Sequence, residues 1–169
     1  MKNEICGKAL VVGDNIDTDL ICPGRFLELT DPAEIGRHCF EGLDKDIAAS
    51  FPPGGIVVAG KNFGCGSSRE HAAIALVNMG VSAVLADSFA RIFFRNGINL
   101  GLPLIVCKGI HKAVENGQTL LINISEGTVK VEETGIVMRT EILGEKAVQI
   151  LSAGGIKQMM RKRHTQSQD

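Results

Sequence analysis

Short apolar runs separated by turn-rich breaks set the pattern of this chain. KALVV (8–12) reads as a buried strand, and the loop after it, GDNIDTDLICPG (13–24), carries Gly, Asn, Asp and Pro at turn-favouring spacing. Asp31-Pro32 predicts a helix start, with Ile35 as an early apolar anchor. Pro52-Pro53-Gly54-Gly55 breaks the chain before IVVA (56–59), a second strand. Ser67 or Ser68 is expected to cap a helix that places Ala72, Ala73, Leu76 and Val77 on one face and ends near Gly80. Residues 81–86 form a strand, and Ser88 caps a helix holding Ala90, Phe93 and Phe94 that breaks at Asn96-Gly97. LPLIV (102–106) is the next strand. Strand and helix alternating with short connections predict an α/β fold with parallel pairing.

Beyond Gly117 the period shortens. TLLINI, TVKVEE and IVMRTEIL read as successive strands, so the last third is richer in β-structure. A final helix from about Glu145 is interrupted at Gly154-Gly155, and RKRHTQSQD (161–169) is expected to fray. With no internal repeat and no long linker, residues 1–169 are expected to form one domain.

Charge and composition narrow the function. The chain has 18 Lys and Arg against 19 Asp and Glu, so it offers no basic field for nucleic acid. Seven Phe with no Trp or Tyr leave few platforms for base stacking. No apolar run approaches the roughly 20 residues of a membrane span, and the first residues lack a signal-peptide pattern, so the cytoplasm is expected. The five cysteines, Cys6, Cys22, Cys39, Cys65 and Cys107, are scattered, with no CxxC and no zinc-ligand spacing. No metal is expected on this chain. If iron takes part, another chain must bring it.

Candidate chemistry concentrates in AGKNFGCGSSREHAA (59–73), which follows a strand and opens a helix. Gly64 and Gly66 permit a sharp turn and a close backbone approach, while Ser67 and Ser68 set hydroxyls at a helix N-terminus. Arg69 adds a planar fork for a carboxylate or phosphate. A capping box of Ser67 and Glu70 is the purely structural reading. It leaves the arginine and the second serine unexplained. The stretch lacks the third glycine of a dinucleotide fingerprint and the Lys-Ser/Thr of a P-loop, which favours a carboxylate ligand. NIDTDLI (15–21) reads on its own as turn chemistry, His71 as a packing or structural hydrogen-bonding residue, and Arg91 and Arg95 as surface or ion-pairing residues.

GDNIDTDLICPGRFL (13–27), FGCGSSREHA (63–72), SFARIFFRNGINLGLPLI (88–105) and the late ILSAGGI together resemble the small subunits of 3-isopropylmalate dehydratases, within the aconitase superfamily. The resemblance spans roughly the whole chain. It implies the swivelling β/β/α three-layer domain of the aconitase C-terminal type, here as a separate chain. It also implies a large subunit carrying a [4Fe-4S] cluster and a small-molecule carboxylate substrate. The implied reaction moves a hydroxyl between adjacent carbons of a malate derivative by dehydration and rehydration.

By motif position the resemblance makes Ser67 the catalytic base and Ser68 and Arg69 the substrate-carboxylate binders. It also draws Asp19 into the site, against the turn-only reading of its segment. Substrate choice is tied to FLELTDP (26–32), where Glu28 would repel a further carboxylate and Leu29 would offer an apolar contact. Isopropylmalate is the expected substrate. Dimethylmalate, citramalate/citraconate and homoaconitate remain alternatives, as does a non-catalytic anion-binding domain.

Overall fold

The protein, as a computed structural model, is described over residues 2–168. In chain order it runs β1 (Glu4–Val11), α1 (Thr18–Ile21), a 3-10 turn (Gly24–Phe26), α2 (Pro32–Arg37), α3 (Ile47–Ser50), β2 (Ile56–Ala59), α4 (His71–Met79) and β3 (Ala83–Ala86). It continues with α5 (Arg91–Asn99), β4 (Leu104–Val106), α6 (Ile110–Ala113), β5 (Thr119–Asn123), β6 (Thr128–Val131), β7 (Val137–Arg139), α7 (Glu145–Ala153) and α8 (Ile156–Gln166). None of the described helices is long and apolar enough to cross a membrane.

Seven strands make one mixed sheet in the order β4-β3-β2-β1-β5-β6-β7. The pairs from β4 to β1 are parallel, with Val57 opposite both Leu10 and Val84. From β1 to β7 every pair is antiparallel. This matches the predicted change of pattern after Gly117. A crossover helix is needed between parallel strands, whereas tight turns suffice between antiparallel ones.

Strand periodicity then divides the core. In β2, Val57 and Ala59 face a cluster built with Ile35 of α2, Leu76 of α4, Phe93 of α5 and Leu151 of α7. Ile56 and Val58 point the other way, into a cluster with Leu120, Ile122, Val129 and Val131 of β5 and β6. The antiparallel half therefore curls over the face opposite α2, α4, α5 and α7, where Ile110 of α6 joins it. A main-chain bond from Glu141 N to Val106 O at 2.8 Å brings the segment after β7 against β4, at the opposite end of the strand order. The result is three layers, β/β/α.

Several boundaries differ from the sequence reading. Neither Ser67 nor Ser68 caps α4, which opens at His71 with Glu70 in the cap position and no side-chain cap bond. Ser88 does not cap α5 either: that helix starts after Ala90, and the Ser88 hydroxyl accepts from Asn62 N at 2.8 Å. Asn96-Gly97 does not end α5, which continues to Asn99. Gly97 is there to let α5 lie on β4, since a Cβ would stand 2.5 Å from Leu104 Cδ1. Residues 161–166, expected to fray, extend α8, whose Met159 is packed into the helical-side core.

Candidate functional site

The site is built by two loops at the C-terminal ends of adjacent parallel strands, 12–17 after β1 and 60–70 after β2. Phe63 anchors the second loop. It is fully buried and makes edge-on contacts with Phe40, Phe89 and Phe93. The next residue, Gly64, has φ +82°, and a Cβ on it would overlap the Phe93 ring. A side chain there would have to displace that core aromatic. Gly64 N donates to Ile16 O at 2.8 Å and Thr18 N to Cys65 O at 2.8 Å, so the two loops are laced together by their main chains.

Past this lacing the chain emerges into solvent as Ser67, Ser68 and Arg69, all exposed. Their backbone is nevertheless held. Ser67 N donates to Thr18 Oγ1 at 3.0 Å, and Asn96 Nδ2 donates to Ser68 O at 3.2 Å. Arg69 N donates to Ser67 Oγ at 3.2 Å. A serine oxygen already receiving an N–H is stabilised as it gains negative charge.

Asp19 enters from α1. Asp17 supplies the cap of that helix, its Oδ1 accepting from Asp19 N at 2.8 Å and Leu20 N at 3.0 Å. Asp19 Oδ1 in turn accepts from Gly24 N at 2.9 Å and closes the following turn. The turn chemistry read into NIDTDLI is thus real, and Asp19 also reaches the site. It lines a crevice of about 40 Å³ with Thr18, Cys22, Leu27, Ser67, Arg69 and His71. The sequence-predicted Ser67, Arg69 and Asp19 meet there.

The other residues singled out take varied positions. Ser68 and Glu28 are exposed and do not line the crevice, Ser68 following directly on Ser67, which does. Leu29 packs against the helical-side core, and Leu27 is the residue of its loop that lines the crevice. Of the two roles expected for His71, packing or a structural hydrogen bond, its Nδ1 makes no such bond, being buried with no partner among the described residues. Arg91 and Arg95, read as surface or ion-pairing residues, are exposed as expected, and with Ser67 they also border a second groove of about 370 Å³. Their four-residue spacing at the start of a helix was the available signal. Thr18 was missed because its two neighbouring aspartates carry the recognisable chemistry.

Among the described residues no group of three His, Cys, Asp or Glu is placed to hold a metal. Burial, with the Asp19 charge second, pushes the Cys22 thiol up. Cys39 is raised well above the usual range by burial and then by Cys22. Cys107 is pushed up to about 11 by burial and then by Asp87. Three buried thiols pushed toward their protonated form, with no third ligand beside any pair among the described residues, do not fit a cluster, whose ligands are thiolates.

The comparisons with known proteins agree with this picture. Residues 52–108 match the aconitase C-terminal domain. The chain is 48% identical to "3-isopropylmalate dehydratase small subunit 1" of Methanopyrus kandleri, over 96% of this chain and 95% of the relative. It is 46% identical to the "Isopropylmalate/citramalate isomerase small subunit" of Methanocaldococcus jannaschii, over 99% and 100%. A crystal structure of 3-isopropylmalate dehydratase (leuD) from the latter organism superposes with a TM-score of 0.94 at 38% identity, covering 98% of each chain. As their names imply, such small subunits work with a large one. Full-length identity, the matched fold and the shared domain place this chain in the family of 3-isopropylmalate dehydratase small subunits, one half of a two-subunit hydro-lyase.

Proposed function

We propose that this chain supplies the proton-transferring and carboxylate-gripping half of a site that interconverts 2- and 3-isopropylmalate. The observation that carries the reading is the convergence of Ser67, Arg69 and Asp19 on one crevice from two loops. The large subunit is assigned the [4Fe-4S] cluster implied by the resemblance, and with it the Lewis acid for the departing hydroxyl. Ser67 Oγ takes the proton from the carbon next to a carboxylate. The C–H electron pair becomes the C=C bond, and the hydroxyl leaves as water with a proton drawn from solvent. On rehydration a water hydroxyl joins the carbon that lost the proton, the other water proton returns to solvent, and Ser67 Oγ delivers its proton to the carbon that lost the hydroxyl. A serine is a weak base, and the Arg69 N–H on its oxygen and the Arg69 cation favour its anion. Arg69 and Ser68 hold the substrate carboxylate, the guanidinium by a two-point grip. Asp19 braces the Gly24 turn and borders the substrate.

Specificity is assigned to 26–32. Leu27 meets the alkyl group, Glu28 at the exposed rim disfavours an added carboxylate, and Leu29 fixes the loop by packing into the core. Citramalate is the second reading, favoured by the name of the 46%-identical Methanocaldococcus relative, an isopropylmalate/citramalate isomerase small subunit. The assembled pair is placed in the cytoplasm.

Co-expression with a large subunit, anaerobic cluster reconstitution and assay on isopropylmalate, citraconate, dimethylmalate and homoaconitate test this. Turnover of isopropylmalate by the loaded pair alone is expected. Turnover by the partner-free chain, or none by the loaded pair, overturns it.

A further inference from the structure

Among the described residues Thr18 is the polar side chain that is buried, at 7% exposed. It sits between Asp17, which caps α1, and Asp19, which closes the Gly24 turn, and it performs neither task. Its main chain belongs to two structures at once. Thr18 N donates sideways to Cys65 O at 2.8 Å, as in a parallel ladder. The Thr18 carbonyl would be the natural acceptor for the next N–H of the neighbouring strand. It is already taken, because it accepts from Cys22 N at 2.8 Å in the first turn of α1. The hydroxyl takes its place, and Ser67 N donates to Thr18 Oγ1 at 3.0 Å. Gly66 makes this contact possible. Its φ is +105°, and a Cβ there would press to 3.2 Å from that same oxygen.

We infer that Thr18 is the positioning residue for Ser67, extending the ladder between the two loops by one side-chain bond so that the base is fixed where α1 begins. The inference rests on Ser67 acting as the base. Serine at 67 is otherwise exposed, and of its own groups the backbone N–H is bonded across to the other loop while the hydroxyl bonds only within its own segment. A base displaced by a fraction of an ångström loses rate without losing the substrate's carboxylate grip.

The test uses the assembled, cluster-loaded enzyme. Thr18→Val keeps the shape and removes the acceptor, and Thr18→Ser keeps the acceptor. Thr18→Val is expected to lower kcat about ten- to a hundredfold while KM stays within about threefold, and Thr18→Ser to restore kcat to within about threefold of the parent. In the isolated subunit, hydrogen exchange at the Ser67 amide should quicken in the valine variant and not in the serine variant. Near-parent turnover in Thr18→Val overturns the inference, as does a serine variant as slow as the valine one. So does a loss that follows subunit assembly instead of kcat. Ser67→Ala run alongside separates the two levels. An inactive Ser67→Ala beside an unaffected Thr18→Val rejects Thr18 alone, and an active Ser67→Ala rejects both.

Discussion

Asn96 of α5 donates its side-chain amide to the Ser68 carbonyl at 3.2 Å, fastening the serine–arginine segment to a helix that begins beyond the next strand. The bond holds the segment one residue beyond the point where Thr18 fixes it. Asn96→Ala should release the Ser68–Arg69 end. One hydrogen bond of about 1 kcal/mol corresponds to roughly a fivefold rise in KM, with kcat changed less. Steady-state kinetics on the assembled enzyme check it, with gel filtration confirming that assembly is intact.

Ser67→Ala and Arg69→Lys should separate the two roles. Without its base the enzyme should lose about 10²–10⁴ in kcat with little change in KM. The lysine variant should instead raise KM strongly, because an ammonium cannot reproduce a planar two-point grip. Equal effects of both variants on kcat and KM would contradict the division of labour.

The loop assignment predicts a change in substrate ratio. Glu28→Arg should raise the preference for a tricarboxylate over isopropylmalate by about one decade, as a paired charge replaces a repulsive one. Leu27→Ala should lower kcat/KM for isopropylmalate relative to citramalate about tenfold, the scale of a lost contact with one or two carbons. Competition assays with substrate pairs read both ratios. Uniform effects on all substrates would place specificity elsewhere.

The thiols predict an alkaline limb to stability. Cys107 is held protonated up to about 11, whereas an unfolded thiol ionises near 8.5. Between those values the folded chain keeps a proton that the unfolded chain has lost. This contribution is therefore complete below the unfolded value and disappears as pH rises through the folded one. Urea unfolding from pH 7 to 11 should show stability falling above about pH 8.5, less steeply in Cys107→Ala. In the folded protein a thiol reagent should modify exposed Cys6 first, and Cys22, Cys39 and Cys107 only on unfolding.

Local patterns were legible where local physics decides. IVVA at 56–59 is a strand to the residue, and α7 ends at Gly154 as its glycine pair predicts. The Ser67–Arg69 segment was recognisable, but its conformation was not. Serine hydroxyls ahead of a helix usually cap it, and here tethers to Thr18 and Asn96 draw the segment off the helix axis. Those partners lie 49 and 28 positions away, beyond the reach of any periodicity. The same holds for Leu27 and Leu29. Both suit an apolar contact by type, and only tertiary packing decides which turns inward to the core and which to the crevice.

The bond between Glu141 and Val106 has a consequence for the life of the chain before it meets its partner. An open sheet ends in two rows of unsatisfied amides and carbonyls, which are templates for runaway pairing with other copies. Here the two terminal strands, β4 and β7, are three residues each, and the curl turns the chain after one onto the last residue of the other. Little ladder is left for a stranger to extend. A subunit made separately from its large companion therefore offers other copies little strand edge to pair with.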